Sequence, residues 1–283
     1  MSRPRLSAFT VLNTLFLLAL SLTMILPFLN VLSISFSDAT ASMEPGIHLW
    51  PRAVSLQGYA LLFERLSLWR PLGISLYVAG VGTFLHLLLS ALAAYALTQS
   101  RLPGRKLILA FILVTALAPS EAMLVPLYVL MQHLGLINSL TSLILSGLVS
   151  AFSILIIRGF AFSVPGELYE AARIDGAGDW RVFAQLFLPL VRPALIVVAI
   201  FEFVSKWNMF TEPLLYINSS TLYPLQLALQ SLVSNSNATS SGTYLAENAQ
   251  MAGVVIGVLP LVLVYPFVQR YLFEGLTFGA VKQ

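Results

Sequence analysis

Cysteine is absent from the 283 residues, and charged residues make up only 10% of them. The lack of cysteine excludes disulfides, thiolate metal ligands and cysteine nucleophiles. The shortage of charge separates the chain from soluble domains, in which about 25% of residues are charged. Histidine occurs three times, at His48, His86 and His133. This spacing is too scattered for a metal site, so the sequence predicts no bound metal.

Apolar residues, in contrast, account for 58% of the chain, and the mean hydropathy is +0.87. One water-soluble core cannot hide this much apolar surface, so the composition predicts a polytopic membrane protein. A spanning helix needs about 20 mostly apolar residues. Six stretches meet this requirement: Leu6–Phe36, Leu72–Thr98, Leu107–Met131, Ser139–Ala161, Leu190–Ile217 and Ala246–Leu272.

The positions of lysine and arginine predict the orientation of these spans. With the amino terminus inside, eleven of the fifteen basic residues lie inside, and Arg52, Arg65 and Arg70 lie outside. Cytoplasmic loops carry such an excess, so we expect both termini to be cytoplasmic. Ala39-Thr40-Ala41 is similar to a signal-peptide cleavage site. The apolar stretch before it is much longer than the 7–15 residues typical of a signal peptide, which favours a retained span.

A long inside segment, Phe162–Pro189, joins the fourth and fifth predicted spans. Pro165 suits a first helical turn, and Asp175-Gly176 predicts a helix end with a positive φ at the glycine. Asp179 is expected to cap a second short helix, in which Trp180, Phe183, Leu186 and Phe187 share one side. An amphipathic helix resting on lipid and a docking surface for another protein both fit this pattern.

The same segment resembles the EAA loop of ABC importer permeases. Glu170-Ala171-Ala172 is followed after three residues by Gly176, and after nine more by Leu186-Phe187-Leu188-Pro189. Leu186 stands where the family has isoleucine. The resemblance extends over about Leu72–Arg270 and is closest to the smaller, six-span permease of maltose-type carbohydrate uptake systems. We refer to Phe162–Pro189 as the EAA segment.

The resemblance implies an all-α type I ABC importer permease fold with six transmembrane helices and a cytoplasmic EAA coupling helix. It implies a bacterial plasma (inner) membrane location and the following divisions: residues 1–71, a first helix and outer loop; 72–270, a five-helix core; 162–189, the coupling loop; and 271–283, a cytoplasmic tail. The residues expected to couple to the ATPase are Glu170, Ala171, Ala172, Arg173, Asp175, Gly176, Leu186 and Pro189.

The implied function is to form a sugar or oligosaccharide path with a second permease, expected to be a different chain. Two ATP-binding subunits would bind ATP and Mg, and an extracytoplasmic binding protein would deliver the sugar. This chain itself is expected to be no enzyme and to need no cofactor. A Walker A motif requires glycine before its lysine, whereas Lys106, Lys206 and Lys282 follow arginine, serine and valine.

Ionisable residues within the spans form a second group of functional candidates. Glu202 and Lys206 are spaced i,i+4 in the fifth span, which favours an intrahelical ion pair. A position lining the sugar path is the alternative for both, and Glu121, between two prolines, either lines that path or caps a broken turn. His86 is expected to form interhelical hydrogen bonds. The path candidates are Glu202, Lys206, Trp207, Asn208 and Glu121. An alternative function is a stand-alone secondary transporter with a proton relay through these groups.

The outer segment Asn218–Leu245 is long and polar, and long ordered loops are usually functional. We expect it to contact the sugar-binding protein, with a short helix over Tyr223–Leu232 and a mobile tip at Ser234–Thr243. The contact candidates are Tyr223, Gln226, Gln230, Ser234 and Asn237. The residues leave open which sugar is carried, and they do not separate oligosaccharides from glycerol-3-phosphate.

Overall fold

The computed structural model describes residues 8–99, 101–162, 164–238 and 246–280. In these residues the secondary structure is helical, apart from one isolated antiparallel bridge between Ser37 and Val54. A π-helical turn, Phe183–Phe187, joins α10 to α11, and a 3-10 turn, Ser220–Leu222, precedes α14. The α-helices are α1 (Ala8–Ser35), α2 (Ala39–Ser42), α3 (Gln57–Leu66), α4 (Trp69–Thr98), α5 (Arg105–Ala116), α6 (Ser120–His133), α7 (Leu140–Leu145), α8 (Ala151–Ala161), α9 (Gly166–Ile174), α10 (Asp179–Val182), α11 (Leu188–Leu190), α12 (Arg192–Trp207), α13 (Thr211–Tyr216), α14 (Leu225–Ala238) and α15 (Glu247–Ala280).

Three helices are by themselves long and apolar enough to cross a membrane: α1, α4 and the first part of α15. Three bent pairs meet the same criterion together, namely α5 with α6, α8 with α9, and Asp179–Leu190 with α12. Counting each bent pair as one span gives six, the number that the sequence predicted, but the second and third pairs include helices of the EAA segment, which the sequence placed outside the spans.

The sequence pattern had implied six continuous helices, but three of the predicted spans are interrupted. The third bends by 107° between α5 and α6, next to Pro119, which cannot donate a backbone hydrogen bond. The fourth is divided into α7 and α8, with Gly147 between them at a φ of +69°. The fifth is divided into α12 and α13. Hydropathy does not detect these breaks, because apolar side chains continue through them.

The chain divides into two compact units, of which the first comprises Met1–Leu68 and Leu229–Pro260. Within it, Asp38 caps α2 by accepting a hydrogen bond from the Ala41 amide at 2.6 Å. The Asn248 side chain donates to the Ser37 carbonyl at 3.0 Å. A Cβ on Gly58 would lie 2.8 Å from the Asn248 carbonyl oxygen, so only glycine permits this approach of α3 to α15.

The second unit comprises Trp69–Ala228 and Leu261–Gln283, and it contains the EAA segment. Its main apolar cluster is formed by α4, α8, α12 and the π-helical turn. Ala91, Ala94 and Ala194 are buried there, and such small residues allow close helix packing in membranes. The Tyr95 ring lies 5.4 Å from that of Phe183 and 5.2 Å from that of Phe187. These contacts attach the EAA segment to the end of α4.

Candidate functional site

Helix α9 carries the Glu170-Ala171-Ala172 motif and ends in a Schellman motif. The Gly176 amide donates to the Arg173 carbonyl at 3.0 Å, and the Ala177 amide donates to the Ala172 carbonyl at 2.9 Å. Gly176 has a φ of +82°, which side-chain-bearing residues rarely adopt. The predicted helix end and the positive φ at Gly176 are therefore confirmed.

The start of the following helix differs from the prediction. The N-cap of α10 is Gly178, and Asp179 is its first helical residue. The Asp179 carboxylate makes no capping hydrogen bond; it accepts one from the Arg173 guanidinium at 3.2 Å. Asp179 thus joins the two arms of the turn instead of capping one of them.

The side of α9 that faces the rest of the chain carries Tyr169, Ala172 and Arg173. Tyr169 and Ala172 are half-buried against the main apolar cluster. Arg173 donates to the side-chain oxygen of Gln99, next to the end of α4, as well as to Asp179. The Tyr95 hydroxyl donates to the Asp179 carbonyl at 3.4 Å. This side of the motif therefore holds the EAA segment on α4.

The opposite side of α9 is open. Glu170 and Ala171 are exposed, and so are Leu168 and Ile174, the latter with 85% of its surface accessible. Asp175 and Gly176 are also exposed, and a Cβ on Gly176 would meet no atom within 4 Å. An exposed carboxylate between small and apolar residues suits docking against a basic, apolar partner.

The remaining two candidates for ATPase coupling lie beyond the turn. Leu186 is half-buried against the main apolar cluster, and Pro189 is exposed. Leu186 thus has a packing role within the chain. The structure brings Glu170, Ala171, Asp175 and Gly176 onto one accessible surface, which Leu186 does not share.

The direct ion pair predicted between Glu202 and Lys206 is wrong. Lys206 is buried, with 5% exposure, and its ammonium donates to the carbonyls of Leu143, at 2.9 Å, and Ser146. Glu202 instead lies 3.5 Å from Nδ1 of His86. Intrahelical spacing suggested the pair, but the carbonyls at the end of α7 offer Lys206 closer partners.

His86 makes the interhelical hydrogen bonds that were predicted. Its ring is fully buried, with Nδ1 at 3.0 Å from the Gly147 carbonyl and Nε2 at 2.7 Å from the Ser153 hydroxyl. Because a carbonyl can only accept, Nδ1 is the donor. Sequence reasoning missed Gly147, Ser146 and Ser153 as partners. Their signal was a group of serines and a glycine within an otherwise apolar span.

The other path candidates are dispersed. Trp207 is 1% exposed and its ring stacks on Phe203, so it offers no free face to a sugar in this conformation. Asn208 is exposed, and its amide donates to the Val204 carbonyl at 3.0 Å. Glu121 lies in the first turn of α6, where a carboxylate is favoured by the helix dipole.

The outer candidates belong to α14, which begins at Leu225 and extends past the predicted end at Leu232. Gln230 and Ser234 are exposed and 3.4 Å apart at their polar atoms, while Gln226 is half-buried. Tyr223 precedes the helix and packs against a second apolar cluster. The side chain of Asn237 and residues 239–243 of the predicted tip lie outside the described residues.

Comparison with known proteins adds family evidence to this geometry. Residues 86–277 match the family described as "Binding-protein-dependent transport system inner membrane component". Protein LplC of Bacillus subtilis is 33% identical, over 97% of this chain and 95% of the relative. The polygalacturonan/rhamnogalacturonan transport system permease protein YtcP of the same species is 32% identical, over 94% and 96%.

A solved structure has the same fold. A bacterial ABC transporter involved in the import of the acidic polysaccharide alginate contains a chain that matches with a TM-score of 0.87. The match covers 96% of this chain and 99% of that one, at 24% sequence identity.

Proposed function

This chain belongs to the family of binding-protein-dependent transport system inner membrane components, and on that premise we propose that it is a permease subunit of an ABC importer for a sugar or oligosaccharide. Relatives that match along nearly their whole length support this function, and YtcP is named as a permease for polygalacturonan and rhamnogalacturonan transport. Family membership favours the importer over the stand-alone, proton-coupled transporter.

The observation that carries the coupling part of the proposal is the two-sided form of α9. Its inner side is bound to α4 through Arg173, and its outer side presents Glu170 and Ala171 beside the open turn at Gly176. A helix held in this way can transmit a displacement to the spans without bending. The outer side docks on an ATPase, where Glu170 forms a charge-assisted hydrogen bond with a basic group.

The assembly that follows from this function has four further components. A second, different permease completes the path, two ATP-binding subunits hold ATP and Mg, and an extracytoplasmic binding protein delivers the sugar. The EAA segment and both termini face the cytoplasm in this proposal, which the excess of basic residues on that side supports. Closure of the ATPases rocks the spans as rigid bodies and exchanges outward for inward access.

Copurification tests the assembly directly. Tagged chain is purified from the native membrane in detergent, and the partners are identified and quantified by mass spectrometry. We expect a second permease and an ATPase, with the ATPase at one copy per permease. Recovery of this chain alone, together with proton-driven uptake by the purified chain in vesicles, would instead establish the secondary transporter.

Gly176→Val tests the coupling turn in the same preparation. The positive φ costs valine about 1–2 kcal/mol, so ATPase retention should fall about tenfold and uptake should be lost. Gly178→Val is the matched control, because Gly178 is exposed with an ordinary φ of −69°. Full ATPase retention and normal uptake in Gly176→Val would contradict the assignment of this turn.

The exposed polar side of α14 is the surface we assign to the binding protein. Gln230 and Ser234 lie on it, near the tip predicted at Ser234–Thr243. Replacing that tip by a short Gly-Ser turn should reduce stimulation of ATPase activity by the sugar-loaded binding protein, while basal activity stays constant. Unchanged stimulation would show that the tip takes no part in docking.

A further inference from the structure

The fourth span is interrupted between α7 and α8, and backbone groups at this break have hydrogen-bond partners. Helix ends leave carbonyl groups without partners, and such groups are costly where water is scarce. After α7, Ser146 is extended and Gly147 has a φ of +69°. Ser150 then caps α8 by accepting a hydrogen bond from the Ser153 amide at 3.1 Å.

A side chain from α12 supplies the donors that α7 lacks. The Lys206 ammonium donates to the carbonyls of Leu143 and Ser146, which are 63 and 60 residues away in sequence. The carbonyl end of a helix carries partial negative charge, so it stabilises a cation. The lysine stem passes α4 at Gly82, where a Cβ would lie 3.4 Å from the Lys206 Cε.

His86 of α4 holds the other side of the break. It binds the Gly147 carbonyl and the Ser153 hydroxyl, which are the two flanks of the interruption. Glu202 faces His86 at 3.5 Å. Four elements, α4, α7, α8 and α12, therefore meet at one set of buried hydrogen bonds.

We propose that Lys206 is a tethered cation that keeps this break rigid, so that α7 and α8 move as one body with α4 and α12 during transport. Lys206 is thus a positioning residue, which acts through the backbone of the fourth span and not through the sugar. This inference concerns the spans and is independent of how α9 docks on the ATPase.

Spin labels on the two halves of the span measure its rigidity. Because the chain contains no cysteine, Thr141→Cys in α7 and Gly159→Cys in α8 can be labelled selectively in this chain, which is then assembled with cysteine-free partner subunits. Both positions are exposed, and a Cβ on Gly159 meets nothing within 4 Å. Pulsed electron paramagnetic resonance then gives the distribution of distances between α7 and α8.

Lys206→Met keeps the apolar stem and removes the donor. We expect a clearly broadened distance distribution and about a tenfold fall in uptake, since one charge-assisted hydrogen bond shifts an equilibrium by about that factor. Ser205→Ala, at an exposed position on the same helix, is the matched control and should keep the narrow distribution. A narrow distribution in Lys206→Met would overturn the proposal.

Chemical rescue separates a tethered cation from general packing. Lys206→Ala leaves room for a small cation, so added methylammonium should narrow the distribution again, whereas sodium at equal ionic strength should not. Lys206→Met, whose stem fills the space, should not respond. If the variants assemble poorly, the yield of assembled complex is scored in the same comparison. If methylammonium restores neither the narrow distance distribution nor the yield of assembled complex in Lys206→Ala, the tethered-cation role is refuted.

Discussion

The turn after α9 and the break after α7 share one local feature, a glycine with positive φ between two helices, yet they are stabilised in opposite ways. At Gly176 the turn is closed by hydrogen bonds to Ala172 and Arg173, its immediate neighbours in sequence. At Gly147 the carbonyl is bound by His86, 61 residues away. The first turn is held by its own backbone, whereas the second is held by the buried side chains of His86 and Lys206 from two other helices. A local backbone motif can therefore serve docking in one place and rigidity in another.

The largest effect should come from His86→Leu. This change removes the His86 partner of the Gly147 carbonyl and of the buried Ser153 hydroxyl, and loss of a partner at a buried polar group costs about 1–3 kcal/mol. We expect a loss of about 2–5 kcal/mol, seen as a large fall in the thermal unfolding midpoint of the assembled complex. His133→Leu, at the exposed end of α6, is the control and should be nearly neutral. Equal unfolding midpoints for His86→Leu and His133→Leu would show that the hydrogen bonds of His86 do not stabilise the break between α7 and α8.

Replacing each of the two neighbouring alanines of the EAA motif by leucine tests the difference between the inner and outer sides of α9. Ala172 packs inward, so Ala172→Leu should overpack the interior and destabilise the permease by about 1–3 kcal/mol even without the ATPase. Ala171 is exposed, so Ala171→Leu should weaken ATPase binding and leave permease stability unchanged. Thermal unfolding of the permease pair and ATPase copurification measure the two effects. A stability loss in Ala171→Leu would place that residue inside the packing.

Alanine at the two glycines compares the turns themselves. Gly147→Ala and Gly176→Ala each introduce about 1–2 kcal/mol of backbone strain. In Gly147→Ala we expect the strain to lower the stability of the complex, because His86 holds that turn. In Gly176→Ala the exposed turn can change its conformation to relieve the strain. We therefore expect loss of uptake with little change in stability. Matching stability losses would show that both turns are held equally.

The smallest effect is expected for Tyr169→Phe. The Tyr169 hydroxyl is buried and has no hydrogen-bond partner among the residues that the structure describes. Its removal should change the free energy of unfolding by less than about 1 kcal/mol, in either direction. Normal uptake and an unchanged midpoint are the expected results. A marked loss of either would indicate that the hydroxyl binds a partner in the complete transporter.

The helix end at Asp175-Gly176 could be predicted from the sequence, because it depends only on neighbouring residues. The same holds for the Gly176 conformation, which the structure confirms. Arg173 could not be assigned so well. The family resemblance placed it with the docking residues, and nothing in the sequence indicated that the folded chain also uses it to bind Gln99 and Asp179. That choice depends on where α4 ends relative to α9.

Composition and hydropathy by themselves determined that this is a helical membrane protein, because the polar backbone groups of an apolar segment in lipid must form their hydrogen bonds within the segment, as a helix does. The tertiary structure alone decided that Lys206 binds the carbonyls of α7 rather than Glu202, and that His86 joins Gly147 to Ser153. The physical reason is the range of the interactions. The hydropathy of a span and the conformation of a glycine depend on a short stretch of sequence. A buried polar group, in contrast, takes whichever partner the packing of distant helices brings within hydrogen-bonding distance.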